Sequence, residues 1–349
     1  MKVAIKKVAI KTESSKGSIK IKPKPKPESE SEPEPKVEIK SAAKPKVEIK
    51  SAAKPKVEIK PGRRKGTVEK SVMGGGKTID ETYKNKELRQ HIYDDPDTYA
   101  GSIYPSTEPM WIYNSKSGIM EKRKVTFIES FYKIFDEVLV NAIDQHHRIQ
   151  NKNESDPSLG LRPVRRISVN IDRENGTISV ENDGDGIEIA LTDDGEYVPD
   201  KLFGKLLTSI NYDPNEERTV GGKNGYGAKI ANIFSKEFTI ETVDAHRKLK
   251  YTKTYYDNMT RSDNEIIERY TKIPYTKITY KPDYKRFDIA DYKSIDDWLV
   301  LERRVYDAAA CTDEKCNVYL NGDRITTKTF EDYVSLYIGN KRETKRKYY

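Results

Sequence analysis

Cysteine is nearly absent: Cys311 and Cys316 are the two thiols in 349 residues. That pair makes neither a disulfide framework nor a zinc set, and it suits an intracellular protein with ordinary reduced cysteines. Long apolar runs are missing too. None approaches the roughly 18–20 residues that a membrane span needs. Lysine interrupts every apolar run of the N-terminal MKVAIKKVAIK, which reads against a secretory signal. Aromatic residues are missing from residues 1–80, although the chain has 23 Tyr, 8 Phe and 2 Trp. Without them this stretch cannot bury enough apolar surface to offset the entropy of ordering it.

Charge divides at the same place. Residues 1–80 hold 22 Lys+Arg against 10 Asp+Glu, and residues 81–349 hold 42 against 46. The net charge of +8 therefore belongs to the N-terminal stretch and says nothing about the surface of a folded body. PKVEIKSAAK starts at Pro35 and again at Pro45, with PKVEIK from Pro55, after KPKPKPESESEPEP. Alternating proline and charge favours an extended, solvated chain. We expect residues 1–80 to be a disordered, basic, low-complexity tail. It reads first as a flexible spacer, with an electrostatic tether to nucleic acid or a nuclear address around Arg63-Arg64-Lys65 as the functional alternative. Gly76-Lys77-Thr78 imitates the end of a phosphate-binding loop, but the glycine required five positions earlier is Ser71.

From about Thr82 the composition becomes globular. The pattern predicts a helix over 131–148, strands over 167–171 and 177–180 joined through Asn175-Gly176, and a helix over 200–209. Glycine-rich Gly221 to Gly227 leads into a second helical run, 228–234. Strands are expected at 238–243, 249–256, 276–281 and 317–320, and a helix at 295–310. Helices and strands mix without a regular βαβ rhythm, so the fold class is α+β, a two-layer sandwich.

Three segments carry the chemistry. In the first helix, Glu137, Asn141, Asp144 and Arg148 fall on one face, beside an apolar stripe of Phe131, Phe135, Val138 and Ala142. By helix pattern alone the polar row is as well explained by a solvated face with i,i+4 pairs. Adjacent His146 and His147 point in different directions on a helix and make poor joint metal ligands. The second segment is Glu181-Asn182-Asp183-Gly184-Asp185-Gly186-Ile187, after a strand. Its spaced glycines let backbone pass close to a ligand, but alone it is also ordinary turn chemistry. The third is Gly221-Gly222-Lys223-Asn224-Gly225-Tyr226-Gly227-Ala228-Lys229. Exposed amides and lysines ahead of a helix suit a polyphosphate, and the bland alternative is a flexible surface loop.

In this order the segments resemble the GHKL ATPase module of eukaryotic and large-DNA-virus type IIA DNA topoisomerases. The matching stretches are PDTYAGS (96–102), YKIFDEVLVNAIDQ (132–145), ENDGDGI (181–187), LFGKLLTSINYD (202–213) and GGKNGYGAKIANIFS (221–235). The likeness runs from about residue 82 to the C-terminus. It implies a GHKL (Bergerat) α/β sandwich with a mixed sheet over residues 81–325, with residues 326–349 beginning a transducer domain. It also implies the cofactors ATP and Mg²⁺, with Glu137 as the general base that activates water and Asn141 as the Mg²⁺ ligand. Asn182 would read adenine, helped by Thr276, while Ser209 and Asn211 would contact ribose and phosphates. Gly222, Lys223, Asn224, Gly225, Tyr226, Gly227, Ala228 and Lys229 would form a lid over the triphosphate. Asp144 and Arg148 would support or touch the nucleotide. Tyr83 matches a strap tyrosine that reaches into the partner subunit's site.

The sequence departs from the family pattern in three places. Gln145 stands where the family usually has Asn, Ile210 replaces a serine, and Lys223 replaces an arginine. None removes the expected base or metal ligand.

The implied function is the ATP-operated gate of a type II topoisomerase that drives DNA strand passage. Duplex DNA, a second copy joined by strap exchange and a cleavage core would be its partners. The expected setting is intracellular, in the nucleus or a viral replication compartment. The transducer loop with its γ-phosphate lysine, the cleavage domain and the DNA-linking tyrosine are not in this sequence, so the chain alone is not expected to cut DNA. Two other readings stand beside this one. One is a nucleotide-binding, DNA-tethering module without turnover; the other is a MutL-like or chaperone-like GHKL ATPase.

Overall fold

Alternating burial builds the main sheet. Strands β5 (Arg166–Asp172) and β6 (Thr177–Asp183) point Ile167, Val169, Ile171, Ile178 and Val180 inward and polar residues outward, as a sheet covered on one face requires. The structure is a computed structural model that describes residues 72–73, 77–78, 87–206 and 226–339. The chain divides into two units, Met1–Glu69 and Lys70–Tyr349. The first, with nearly all of the expected tail, lies outside the described residues.

In the second unit, short strands β1 (Val72–Met73) and β2 (Lys77–Thr78) pair with each other, and helix α1 (Leu88–Asp94) follows. A hairpin of β3 (Pro105–Asn114) and β4 (Ile119–Ile128) runs directly into helix α2 (Glu129–Ser155). After β5 and β6 come α3 (Val198–Gly204), α4 (Gly227–Ile233), β7 (Ser235–Asp244) and β8 (Leu249–Tyr256). The remaining elements are β9 (Arg261–Ser262), β10 (Ile266–Arg269), β11 (Tyr275–Pro282), α5 (Asp297–Cys311), β12 (Asn317–Leu320), β13 (Asp323–Arg324) and α6 (Phe330–Ile338).

The sheet order is β10-β8-β7-β11-β6-β5-β12-β13, with β9 on β8. Every pairing is antiparallel except β12 on β5, so the sheet is mixed. Helices α2, α4 and α5 share one apolar core with the strands, which makes two layers. The expected α+β sandwich is the observed architecture. Among the described residues no helix is long and apolar enough to cross a membrane.

Two expectations need correction. The helix expected over 200–209 spans Val198–Gly204 and stops there. Gly204 packs under the Tyr255 side chain of β8, where an added Cβ would lie 2.1 Å from the hydroxyl and push the ring aside. The first helix is longer than 131–148. Ile149 continues the buried stripe, and no breaker occurs until Asp156-Pro157, where the residue before proline leaves the helical region.

The hairpin is fastened to α5 through its N-terminal carboxylates. Asp297 is 4% exposed and accepts the Ile128 N–H at 2.9 Å; Asp296 accepts the Thr126 N–H at 3.2 Å. Burial pushes the Asp297 carboxyl up to about 6, although the Ile128 hydrogen bond opposes the shift. The folded state thus holds this proton more tightly than the unfolded chain. Its stabilising effect is present below about pH 4 and is lost as pH rises towards about 6, a swing of roughly 3 kcal/mol. Asp297→Asn keeps the oxygen that accepts from Ile128 and removes the charge. Urea unfolding should show the variant more stable than wild type at pH 7.5, with the advantage fading near pH 4. A variant destabilised equally at both pH values would contradict this.

Candidate active site

Helix α2 presents its two faces as the stripe requires. Phe131, Phe135, Val138 and Ala142 are buried, whereas Glu137, Asp144 and Arg148 are half-buried and Asn141 is exposed. The polar row therefore runs along the edge of the core, not inside it. Helix α4 and strand β6 both pack against α2, which brings parts of all three sequence segments to this one helix.

Glu137 is the point of convergence. Its Oε1 lies 2.5 Å from Lys133 Nζ, one turn earlier. Its Oε2 lies against Gly227, the first residue of α4, where a Cβ would be only 2.0 Å away. A side chain at 227 would displace the carboxylate from its present position. Helix α4 thus begins directly over the acidic side chain. A carboxylate held at one oxygen by a cation, with its other oxygen facing a helix start, can accept a proton from a water placed there.

The first turn of α4 carries Lys229, which is completely buried. Burial pulls its ammonium down to about 8. An anion brought beside it would favour the charged form again. Tyr226, just before the helix, meets Tyr99 of the PDTYAGS stretch edge-on, with ring centroids 6.1 Å apart.

The β6 end of the site is braced by short hydrogen bonds. Asn182 is 6% exposed and pairs in register with Thr276 on β11. Thr276 and Thr242 share a hydroxyl hydrogen bond at 2.8 Å, and the Thr242 hydroxyl also accepts the Ile187 N–H at 2.9 Å. The Asp183 carboxylate accepts the Arg165 and Arg166 amides at 2.7 and 2.8 Å; Asp185 accepts the Arg162 amide at 2.9 Å. A Cβ on Gly186 would sit 2.0 Å from the Val243 carbonyl, so glycine alone lets the loop lie on β7. Gln145, where the family pattern has Asn, donates to the Asp185 carbonyl at 3.4 Å and accepts from Arg148 at 2.8 Å. Gln145 thus bridges α2 and this loop.

The structure brings Glu137, Asn141, Asp144 and Arg148 onto one helix face, sets Gly227 on Glu137, and sets Thr276 beside Asn182. Tyr83, Ser209, Asn211, Gly222, Lys223, Asn224 and Gly225 lie outside the described residues. A cavity of about 450 Å³ lies off the N-terminal end of the stripe, lined by Tyr99, Glu129, Tyr132, Lys133 and Arg303 among others. Lys133 is the residue that sequence reasoning missed. A lysine four before a glutamate was visible, but on most helices that spacing makes an ordinary surface pair.

The rings of His146 and His147 lie 5.1 Å apart, centroid to centroid, and tilted. His146 is buried with Nδ1 3.0 Å from the Val164 carbonyl, and burial lowers its pKa. Both cysteines are free thiols, and burial raises Cys316 to about 12. Among the described residues no group of three or more His, Cys, Asp or Glu side chains is arranged to hold a metal. The Asn141 carboxamide offers one hard oxygen at an exposed position. That fits a magnesium ion, which keeps waters and takes substrate phosphate oxygens for the rest of its shell.

Comparison with known proteins gives one consistent answer. Residues 128–261 match the histidine kinase-, DNA gyrase B- and HSP90-like ATPase family. DNA topoisomerase 2 of Acanthamoeba polyphaga mimivirus is 44% identical over 268 residues, 75% of this chain and 20% of that protein. The chain thus spans about a fifth of the length of that relative. The ATPase and transducer domains of DNA topoisomerase II from Balamuthia mandrillaris superpose with a TM-score of 0.69 at 43% identity, covering 75% of this chain and 64% of that one. The ATPase region of Saccharomyces cerevisiae topoisomerase II gives a TM-score of 0.67 at 42% identity, covering 73% and 65%.

Proposed function

Since this chain belongs to the type II DNA topoisomerase family and matches its ATPase region, we propose that it binds ATP between α2, the β6–β11 edge and the glycine-rich segment, and hydrolyses it. The observation that carries the reading is the Glu137 carboxylate lying against Gly227, where that segment becomes a helix.

In this reading Asn182 and Thr276 recognise the adenine edge. Lys229 and the amides of 222–228 compensate phosphate charge, with Ser209 and Asn211 on the ribose and phosphates. Asn141 would hold Mg²⁺, which when bound draws charge from the phosphate oxygens. Asp144 and Arg148 support the nucleotide from the same helix face. Glu137 accepts a proton from water as the water oxygen bonds to the γ-phosphorus; the bond to the β–γ bridging oxygen breaks, giving ADP and phosphate.

For the enzyme as a whole we propose ATP-dependent DNA strand passage by a homodimer. Duplex DNA would be the substrate, a cleavage core would complete the enzyme, and Tyr83 would lie in the exchanged strap. Residues 81–325 would form the ATPase domain, and residues from 326 would begin the transducer. The setting would be the nucleus or a viral replication compartment.

Equilibrium binding of ATP to the full chain, with magnesium and with chelator, tests the reading. Magnesium should tighten binding in the wild type, and Asn141→Ala should lose most of that gain. A magnesium effect of equal size in Asn141→Ala would remove Asn141 from the metal site. Failure of the wild type to bind ATP would remove the site itself.

A further inference from the structure

The Lys133–Glu137 pair has a geometry that helix stability does not explain. An exposed i,i+4 pair adds roughly 0.3–0.5 kcal/mol, and these side chains are 40% and 25% exposed. The carboxylate is nevertheless fixed from two sides. Lys133 Nζ holds Oε1 at 2.5 Å, and Oε2 is pressed onto Gly227. The lysine, 40% exposed, also lines the 450 Å³ cavity with Glu129, Tyr132 and Arg303.

We infer that Lys133 is a positioning residue for the general base, holding the Glu137 carboxylate in the rotamer that presents it to the start of α4. The inference rests on the reading of Glu137 as that base.

The electrostatics agree with the geometry. Burial alone would lower the Lys133 pKa, but the hydrogen bond and charge of Glu137, with Asp136 adding to them, outweigh burial and raise it. Lys133 therefore stays an ammonium at neutral pH and cannot compete with Glu137 as the base. It supplies direction. A carboxylate free to turn about its side-chain torsions would spend only part of its time aligned with the attacking water, and misplacement on the scale of 1 Å costs up to about a hundredfold in rate.

The test uses the full chain, with Lys133→Met and Lys133→Arg beside Glu137→Gln. Lys133→Met should lower kcat by about 10- to 100-fold while KM and the affinity for ATP stay within about twofold, and Lys133→Arg should recover most of the rate. A lesion that merely loosened the fold would move KM and the thermal midpoint as well, and Arg would not repair it selectively. A Lys133→Met protein with wild-type or faster turnover, beside an inactive Glu137→Gln, overturns the positioning role and leaves the base assignment standing. Retained turnover in Glu137→Gln overturns both.

A second readout needs no turnover. In protein carrying labelled lysine side chains, the Lys133 ammonium should titrate lower in Glu137→Gln than in wild type. An unchanged Lys133 titration would show that the pair does not form in solution, and the proposal would fail on that result alone.

Discussion

Glu137→Gln should leave ATP bound and stop its hydrolysis. Glutamine has the shape of the carboxylate and can still touch Gly227, so the walls of the site are kept. What is lost is the proton acceptor, and removing a positioned general base costs roughly 10²- to 10⁴-fold. Affinity for ATP should change little, because the contacts proposed to hold the nucleotide come from Asn182, Lys229 and the glycine-rich segment. Single-turnover hydrolysis beside equilibrium binding separates the two quantities. Loss of binding together with loss of turnover would mean that Glu137 supports the pocket instead of the chemistry.

Gly227→Ala should be nearly as damaging to turnover while sparing the fold. The added methyl would start 2.0 Å from Glu137 Oε2 and 2.9 Å from its Cδ. The atoms in the way are the far end of a flexible side chain, so the chain relieves the clash by swinging Glu137 aside rather than by unfolding. That swing must exceed about 1 Å, enough to cost on the order of a hundredfold if the carboxylate is the base. It must also strain or break the pair with Lys133. The expected result is an unfolding midpoint within a few degrees of wild type and a kcat near background. A fully active Gly227→Ala protein would show that the observed Glu137 rotamer is not the working one.

The amino-acid sequence showed the α+β class and the two faces of α2 more clearly than it showed the elements around them. The stripe on α2 was legible because a 3.6-residue period leaves no other face for Glu137, Asn141, Asp144 and Arg148 once Phe131, Phe135 and Val138 face the core. Strands β8 and β12 were expected at the observed bounds, since turn residues flank both. The β3–β4 hairpin gave no such signal. The first five residues of β3 are all exposed, and Pro105 and Pro109 interrupt it, so neither alternation nor propensity marks it as a strand. It is held in place by long-range bonds from Asp296 and Asp297, which local sequence patterns do not reveal. The end of α3 at Gly204, beside the Tyr255 side chain about fifty residues along the chain, likewise has no local sequence signal. The roles assigned to Asn182 and Thr276 came from family resemblance, since residues 181–187 alone read as a turn; the glycines and lysines of 221–229 suited a polyphosphate on their own chemistry, beside the alternative of a flexible loop.

The most direct test of the account is a crystal structure of the full chain with magnesium and a non-hydrolysable ATP analogue. The account predicts adenine against Asn182 and Thr276, Asn141 on the metal, and the γ-phosphate placed so that one water, roughly 3 Å from Glu137, stands in line for attack. A nucleotide seated elsewhere, such as the cavity between Tyr99 and Arg303, with Glu137 more than one water away from its γ-phosphate, would contradict it.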